Sequence, residues 1–251
     1  MKIAEIWDRF LFLVSVPKCV HCKLPLDYGV PALCPACLDE YKAEKMRECS
    51  RCHKVLIECS CSNSYLESKG IKHLCKCFRY KAKRDDLRGN SLIYSLKHDY
   101  RRDTVDFLAD EMVRAAKNST HITGHPERTV ITFVPRRRSA YNKYGYDHAE
   151  VLSREIARRL SMDFTSPLRS LSKRAQKETT GDERMGNARF AVKKGFKGRL
   201  DGKTVVLVDD VATTGASLAA TAKELKALGA KSVIGLVTAV AYRDSENPPL
   251  K

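Results

Sequence analysis

The stretch Val205-Val-Leu-Val-Asp-Asp-Val-Ala-Thr-Thr-Gly-Ala-Ser217 decides how this chain folds. The apolar run 205–208 suits a buried strand, two adjacent carboxylates, Asp209 and Asp210, follow it, and a loop of small residues then opens a helix over 217–228 that stops at Gly229. At the carboxyl end of a parallel strand such a loop exposes backbone N–H groups, and the positive end of the helix adds potential for a phosphate. Between Ala212 and Ala216, Gly215 lets the backbone approach a ligand closely, while Thr213, Thr214 and Ser217 add hydroxyl donors. Adjacent carboxylates repel a bare phosphate but suit the vicinal hydroxyls of a sugar that carries one. A ribose 5-phosphate meets both demands. A strand and helix joined by a merely capping Asp or Thr is the simpler account, and it leaves this combination of residue types unexplained.

Around this stretch the apolar periodicity alternates. Leu92 and Leu96, then Val105, Leu108, Met112 and Ala115, recur at helical spacing. Residues 118–128 read as a polar loop, 130–134 as a β-branched strand, 146–160 as a helix, 170–189 as a long polar segment and 233–240 as a last strand. Strands alternating with helices predict an α/β domain, a mostly parallel sheet covered on both faces.

The first third of the chain is built differently, since all ten cysteines lie between Cys19 and Cys77. In a chain of 251 residues this inequality predicts two unequal parts, a cysteine-rich domain over 1–80 and the α/β domain over 81–251. Cys19-x2-Cys22 and Cys34-x2-Cys37 have zinc-ribbon spacing: each turn aims two thiolates at one ion, and two turns close a tetrahedral S4 site. Cys49, Cys52, Cys59 and Cys61 make a second set with a tighter final pair, for which His53 or the pair Cys75 and Cys77 are alternative donors. Neither set has the open position or companion acid of a catalytic site, so two structural zinc ions are expected.

Near the start, Ile3, Ile6, Trp7 and Phe10 fit an amphipathic helix, and the apolar stretch 10–16 is too short for a membrane span. Asp8 and Arg9 interrupt it and no small-residue cleavage site follows, so a cytoplasmic protein is expected, where clustered cysteines hold metal more often than they pair. The 46 Lys and Arg against 30 Asp and Glu give a formal charge of +16, which fits nucleic acid and phosphate-bearing small ligands equally well. Phe78 and Tyr80, flanked by Lys76, Arg79 and Lys81, are candidate base platforms, with core packing as their simpler role.

The 205–217 stretch resembles the signature of type I phosphoribosyltransferases, in which the acidic pair binds the ribose hydroxyls and the Thr-Thr-Gly loop the 5-phosphate. That resemblance implies 5-phosphoribosyl pyrophosphate as ligand, with Mg²⁺, and places the pyrophosphate at the loop of Pro135, Arg136, Arg137 and Arg138. Within that fold nearly the whole chain is similar to the ComF proteins of DNA uptake, which join a zinc domain to a phosphoribosyltransferase domain. The similarity rests on the paired cysteines, Pro135, the run Gly145-Tyr-Asp-His-Ala-Glu150, Gln176, Arg184, Asn187 and Lys97. Tyr144, Phe133 and Phe190 depart from that family's pattern. The resemblance implies an accessory role with single-stranded DNA and uptake proteins as partners. The alternative is an active enzyme joining a nitrogenous base to ribose 5-phosphate, with Lys173, Arg174, Gln176, Lys177 and Arg184 placed to close over the ligand.

Overall fold

The computed structural model describes residues 16–81, 86–137, 141, 145–171, 189–196 and 199–241. The expected first helix, Arg138 and the cations of 173–184 lie outside these residues. Seven strands are described: β1 Leu74–Tyr80, β2 Thr129–Phe133, β3 Asp163–Phe164, β4 Leu168–Ser170, β5 Phe190–Val192, β6 Thr204–Ala212 and β7 Ser232–Ala241. The helices are α1 Pro35–Lys45, α2 Ser64–Ser68, α3 Arg88–His98, α4 Arg102–Lys117, α5 Thr120–Thr123, α6 His148–Leu160 and α7 Ala216–Ala227.

Five strands form a parallel sheet in the order β1-β7-β6-β2-β3. Side chains alternate across it as a strand requires. Val205 and Leu207 join Leu218, Ala222 and Leu225 of α7 in one core, while Val206 and Val208 join Leu108 and Met112 of α4 and Leu152 and Ile156 of α6 in another. Both faces are therefore dry, which is why β6 reads as a continuous apolar run. Strand order reverses between β6 and β2. From β2 the chain crosses by α6 to β3 on one side, and from β6 by α7 to β7 on the other, so the carboxyl ends of β2 and β6 form the switch point at which sheets of this kind bind ligands.

Several elements differ from expectation. β6 runs on to Ala212 and carries the acidic pair inside the strand, because pairing with β7 continues through Asp209, Val211 and Ala212. Residues 118–128 contain α5 and a 3-10 turn at Pro126–Arg128, with Ile122 buried beneath them. β4 and β5 pair antiparallel, and the Leu171 N–H donates to the Arg189 carbonyl at 2.8 Å, which brings together the two ends of the 170–189 segment. The sheet takes its edge strand β1 from residues that precede the expected junction at 80 and 81.

That edge strand resolves Cys75, Cys77 and Phe78, all buried within β1. Phe78 packs edge-on to Tyr41 of α1 and is no base platform. Lys76 is buried too, its Nζ donating to the Cys61 carbonyl at 2.6 Å, so it is unavailable to nucleic acid.

Candidate functional site

Asp209 and Asp210 sit at the carboxyl end of β6, beside the loop that leaves β2. The Asp210 carboxylate meets two cations: Arg136 Nη2 at 2.9 Å and Lys97 Nζ at 3.1 Å. Its other oxygen accepts from the Val211 N–H at 2.6 Å. Burial pushes this carboxyl up, but Lys97 and Arg136 outweigh burial and hold it well below the usual carboxylate range. Partial burial and then the charge of Asp210 push Asp209 the other way, well above its usual value. One member of the pair is thus held ionised and the other is drawn toward the protonated form.

Arg136 is held by its backbone as well. Its N–H donates to Asp147 Oδ2 at 2.7 Å, while Asp147 Oδ1 caps α6 by accepting from the N–H groups of Ala149 at 3.1 Å and Glu150 at 3.4 Å. Burial raises the Asp147 carboxyl to about 6. Next to it, His148 is fully buried, and burial followed by the Arg136 charge lowers its imidazole to about 4, so it is neutral at pH 7. Its ring lies 4.5 Å from Tyr146, whose hydroxyl donates to the Leu96 carbonyl at 3.0 Å. Tyr146 thereby ties the start of α6 to α3 one residue before Lys97.

The loop after β6 has the predicted character. Ala212 and Ala216 are buried, Thr213 is exposed, and Thr214 and Ser217 are half-buried. Thr214 Oγ1 accepts from the Ala216 N–H at 3.3 Å. Gly215 is the N-cap of α7 with φ +83°, a left-handed conformation that favours glycine, and no acidic residue occupies the first turn to compete with an anion. Arg137 is half-buried beside Arg136, and its carbonyl accepts from the Tyr141 N–H at 3.2 Å.

The cysteines gather as two sets of four, Cys19, Cys22, Cys34 and Cys37, and Cys49, Cys52, Cys59 and Cys61, with sulfurs in each set within 4.8 Å of one another. A tetrahedron with arms of about 2.3 Å has sulfur edges of roughly 3.8 Å, so both sets fit an S4 zinc site. Cys22 and Cys34 already lie 3.6 Å apart. The two sets share a turn. The N–H groups of Cys19 and Cys49 donate to the carbonyls of Leu24 and Lys54 at 2.8 and 2.9 Å, and Lys23 and His53 take φ +64° and +57° at equivalent places. His53 is therefore a turn residue outside the set. Burial pushes Cys19 and Cys49 up, but backbone N–H donors, from Cys34 and Cys22 to one and from Arg51 and Cys52 to the other, bring them down to about 7 and about 6. Such turns favour the thiolate that binds metal.

Lys97, Asp147 and His148 are site residues whose contacts the sequence does not display. The spacing of Asp147 and Glu150 at the head of a helix is a capping signal that could have marked the first contact of Asp147; nothing local marks its second, to Arg136.

Residues 147–251 match the phosphoribosyl transferase domain family. The parallel sheet with helices on both faces has the type I phosphoribosyltransferase fold, with β3, β6 and β7 inside the matched residues and β1 and β2 before them. Solved structures similar to the chain include a purine phosphoribosyltransferase from Pyrococcus horikoshii, 18% identical, covering 53% of this chain and 74% of that one with a TM-score of 0.36. A hypoxanthine phosphoribosyltransferase from Staphylococcus aureus is 11% identical, covering 56% of this chain and 75% of that one at a TM-score of 0.37. A Neisseria gonorrhoeae protein with bound ppGpp is 14% identical over 57% and 71%, at 0.38. No curated protein sequence matches the chain. No helix among the described residues is long and apolar enough to cross a membrane.

Proposed function

We propose that the site at the carboxyl ends of β2 and β6 binds 5-phosphoribosyl pyrophosphate. The observation that carries this reading is the placement of Asp210, ionised between Lys97 and Arg136, six residues before the start of α7, whose first turn holds no acidic residue. Asp209 and Asp210 accept from the ribose hydroxyls, and the N–H groups and hydroxyls of 212–217 hold the 5-phosphate. Arg136, Arg137 and Lys97 face the pyrophosphate, where guanidinium forks match the phosphate oxygens. Mg²⁺, when bound, would add charge neutralisation at the pyrophosphate beside the acidic pair. The two cysteine sets hold structural zinc in a cytoplasmic setting, and the chain divides into a cysteine-rich part and an α/β part, with β1 on the side of the sheet.

The biological setting rests on the ComF resemblance and on the +16 charge: an accessory that handles single-stranded DNA in uptake while the pocket binds its sugar phosphate. Fold alone does not license a reaction. Isothermal titration with phosphoribosyl pyrophosphate and Mg²⁺, followed by a screen of nitrogenous bases for pyrophosphate release, tests both levels. Binding without turnover supports the accessory reading, turnover with one base supports the enzyme, and no binding removes the proposal.

A further inference from the structure

The loop that opens α7 rests on a side chain delivered by the second cysteine set. Leu66 of α2 is fully buried against Gly215: a Cβ at Gly215 would lie 2.8 Å from both Cγ and Cδ2 of Leu66, closer than carbon atoms approach. α2 has five residues, too few to persist alone. Its supports come from the cysteine set on one side. Arg51, inside the Cys49–Cys52 turn, donates through Nη1 to the Ser62 carbonyl and to Glu67 Oε1, each at 2.6 Å, and Asn63 Oδ1 caps α2 by accepting from the Leu66 N–H at 2.8 Å. Cys61 itself is anchored to the sheet through the buried Lys76. On the other side Lys226 of α7 donates to the carbonyls of Lys69 at 3.5 Å and Gly70 at 3.2 Å, just past the end of α2. The first cysteine set touches a different part of the molecule: His21 Nδ1 meets Ser91 Oγ of α3 at 2.9 Å.

We propose that Leu66 is a positioning residue for the phosphate loop, and that the metal of the second cysteine set, by fixing α2, sets the conformation in which 212–217 binds a 5-phosphate. The inference rests on the reading of that loop as the 5-phosphate site. Coupling of this kind is reciprocal: if the metal helps the loop bind phosphate, phosphate on the loop must help the second set keep its metal.

Two measurements on the full-length, zinc-loaded protein decide the matter. Hydrogen exchange is followed at the amides of 213–219, and ribose 5-phosphate is titrated, in wild type, Leu66→Ala and Leu66→Met. Leu66→Ala should speed exchange in that loop and weaken ribose 5-phosphate by roughly tenfold, within the ordinary range of coupling. Leu66→Met, which keeps the volume, should restore both. Unchanged loop exchange in Leu66→Ala overturns the inference. If wild type itself does not bind ribose 5-phosphate, the reading of the loop has failed, and the exchange result still decides separately whether Leu66 holds it. Should Leu66→Ala not fold, zinc release from wild type to a colorimetric chelator replaces it. Ribose 5-phosphate should slow release from the second set several-fold and leave the first unchanged, the sets being told apart by Cys34→Ser; equal rates with and without the sugar phosphate overturn the proposal.

Discussion

Asp210 is the residue on which the site turns, because it is buried, ionised and in contact with two cations from different elements. Asp209→Asn with Asp210→Asn keeps volume and removes charge, so the domain should stay folded while phosphoribosyl pyrophosphate binding weakens strongly. Charge-assisted hydroxyl contacts are worth roughly 1.5 to 3 kcal/mol each. Unchanged affinity by calorimetry would place the ligand elsewhere. His148 offers a test through pH. Its folded value of about 4 lies below the value near 6.5 of an unfolded imidazole, so the unfolded chain binds the extra proton first and stability is lost as pH falls from 6.5 toward 4. Asp147 acts with the opposite sign: its folded value of about 6 lies above the unfolded one, so the cost of its buried charge is relieved over the same descent. Between pH 7 and pH 5 the stability of His148→Gln should therefore change more favourably than that of wild type by about 2 kcal/mol, read from urea midpoints at the two values. Identical pH dependence in the two proteins would show that the imidazole is not held neutral.

Elements reach the site through unusual supports. α3, which carries Lys97 in its last turn, begins without a side-chain cap of its own. Glu44 of α1 supplies one from outside, its two oxygens accepting from the N–H groups of Arg88 at 2.9 Å and Gly89 at 3.3 Å. Arg88 returns the contact by pairing with Glu40 of the same helix. α1 in turn is seated by Glu111 of α4, a buried carboxylate that accepts from the Tyr41 hydroxyl at 2.9 Å and pairs with Lys45 and, at 2.6 Å, with Arg114. Glu44→Ala leaves two N–H groups without their acceptor and should cost about 1 kcal/mol, a lower urea midpoint at unchanged slope. If the midpoint does not move, the cap is not carrying α3. Helix periodicity marked α3 but not α1, and a cap lent across elements leaves no local signature.

At the scale of the whole molecule, the cysteine-rich region and the α/β region share their cores. Cys19, Leu33 and Tyr41 pack in the same cluster as Leu96 and Leu108, and Leu66 and Ile71 in the same cluster as Leu218 and Leu225. Metal loss should therefore be felt well beyond the cysteines. Metal analysis should find two zinc ions per chain, and Cys34→Ser should lose one and lower the thermal midpoint, because zinc affinity in such sites is folding free energy. Protein purified without chelators and free of zinc would refute this. The surplus of basic residues predicts binding of single-stranded DNA without regard to sequence, with affinity falling as salt rises at a log-log slope of about −0.7 per phosphate contacted. Fluorescence anisotropy across a salt series measures it, and no binding at low salt leaves the small-molecule ligand as the sole role.

The sequence by itself determined β2, β6 and β7 of the sheet, the acidic pair, the glycine-capped loop and the first set of four cysteines, because each is written in neighbouring residues: apolar runs, adjacent carboxylates, a small-residue turn, thiols three positions apart; the second set it left with His53, Cys75 and Cys77 as alternatives. Only the tertiary structure decided that Lys97 and Arg136 share Asp210, that β1 belongs to the sheet, that Lys76 is buried beneath the second set and that Leu66 supports Gly215. These contacts join segments that are distant along the chain, and their partners are ordinary residue types, a lysine on a helix or a leucine in a short turn. What selects them is the shape and charge left over once the cores have packed, and that remainder exists only in the folded molecule.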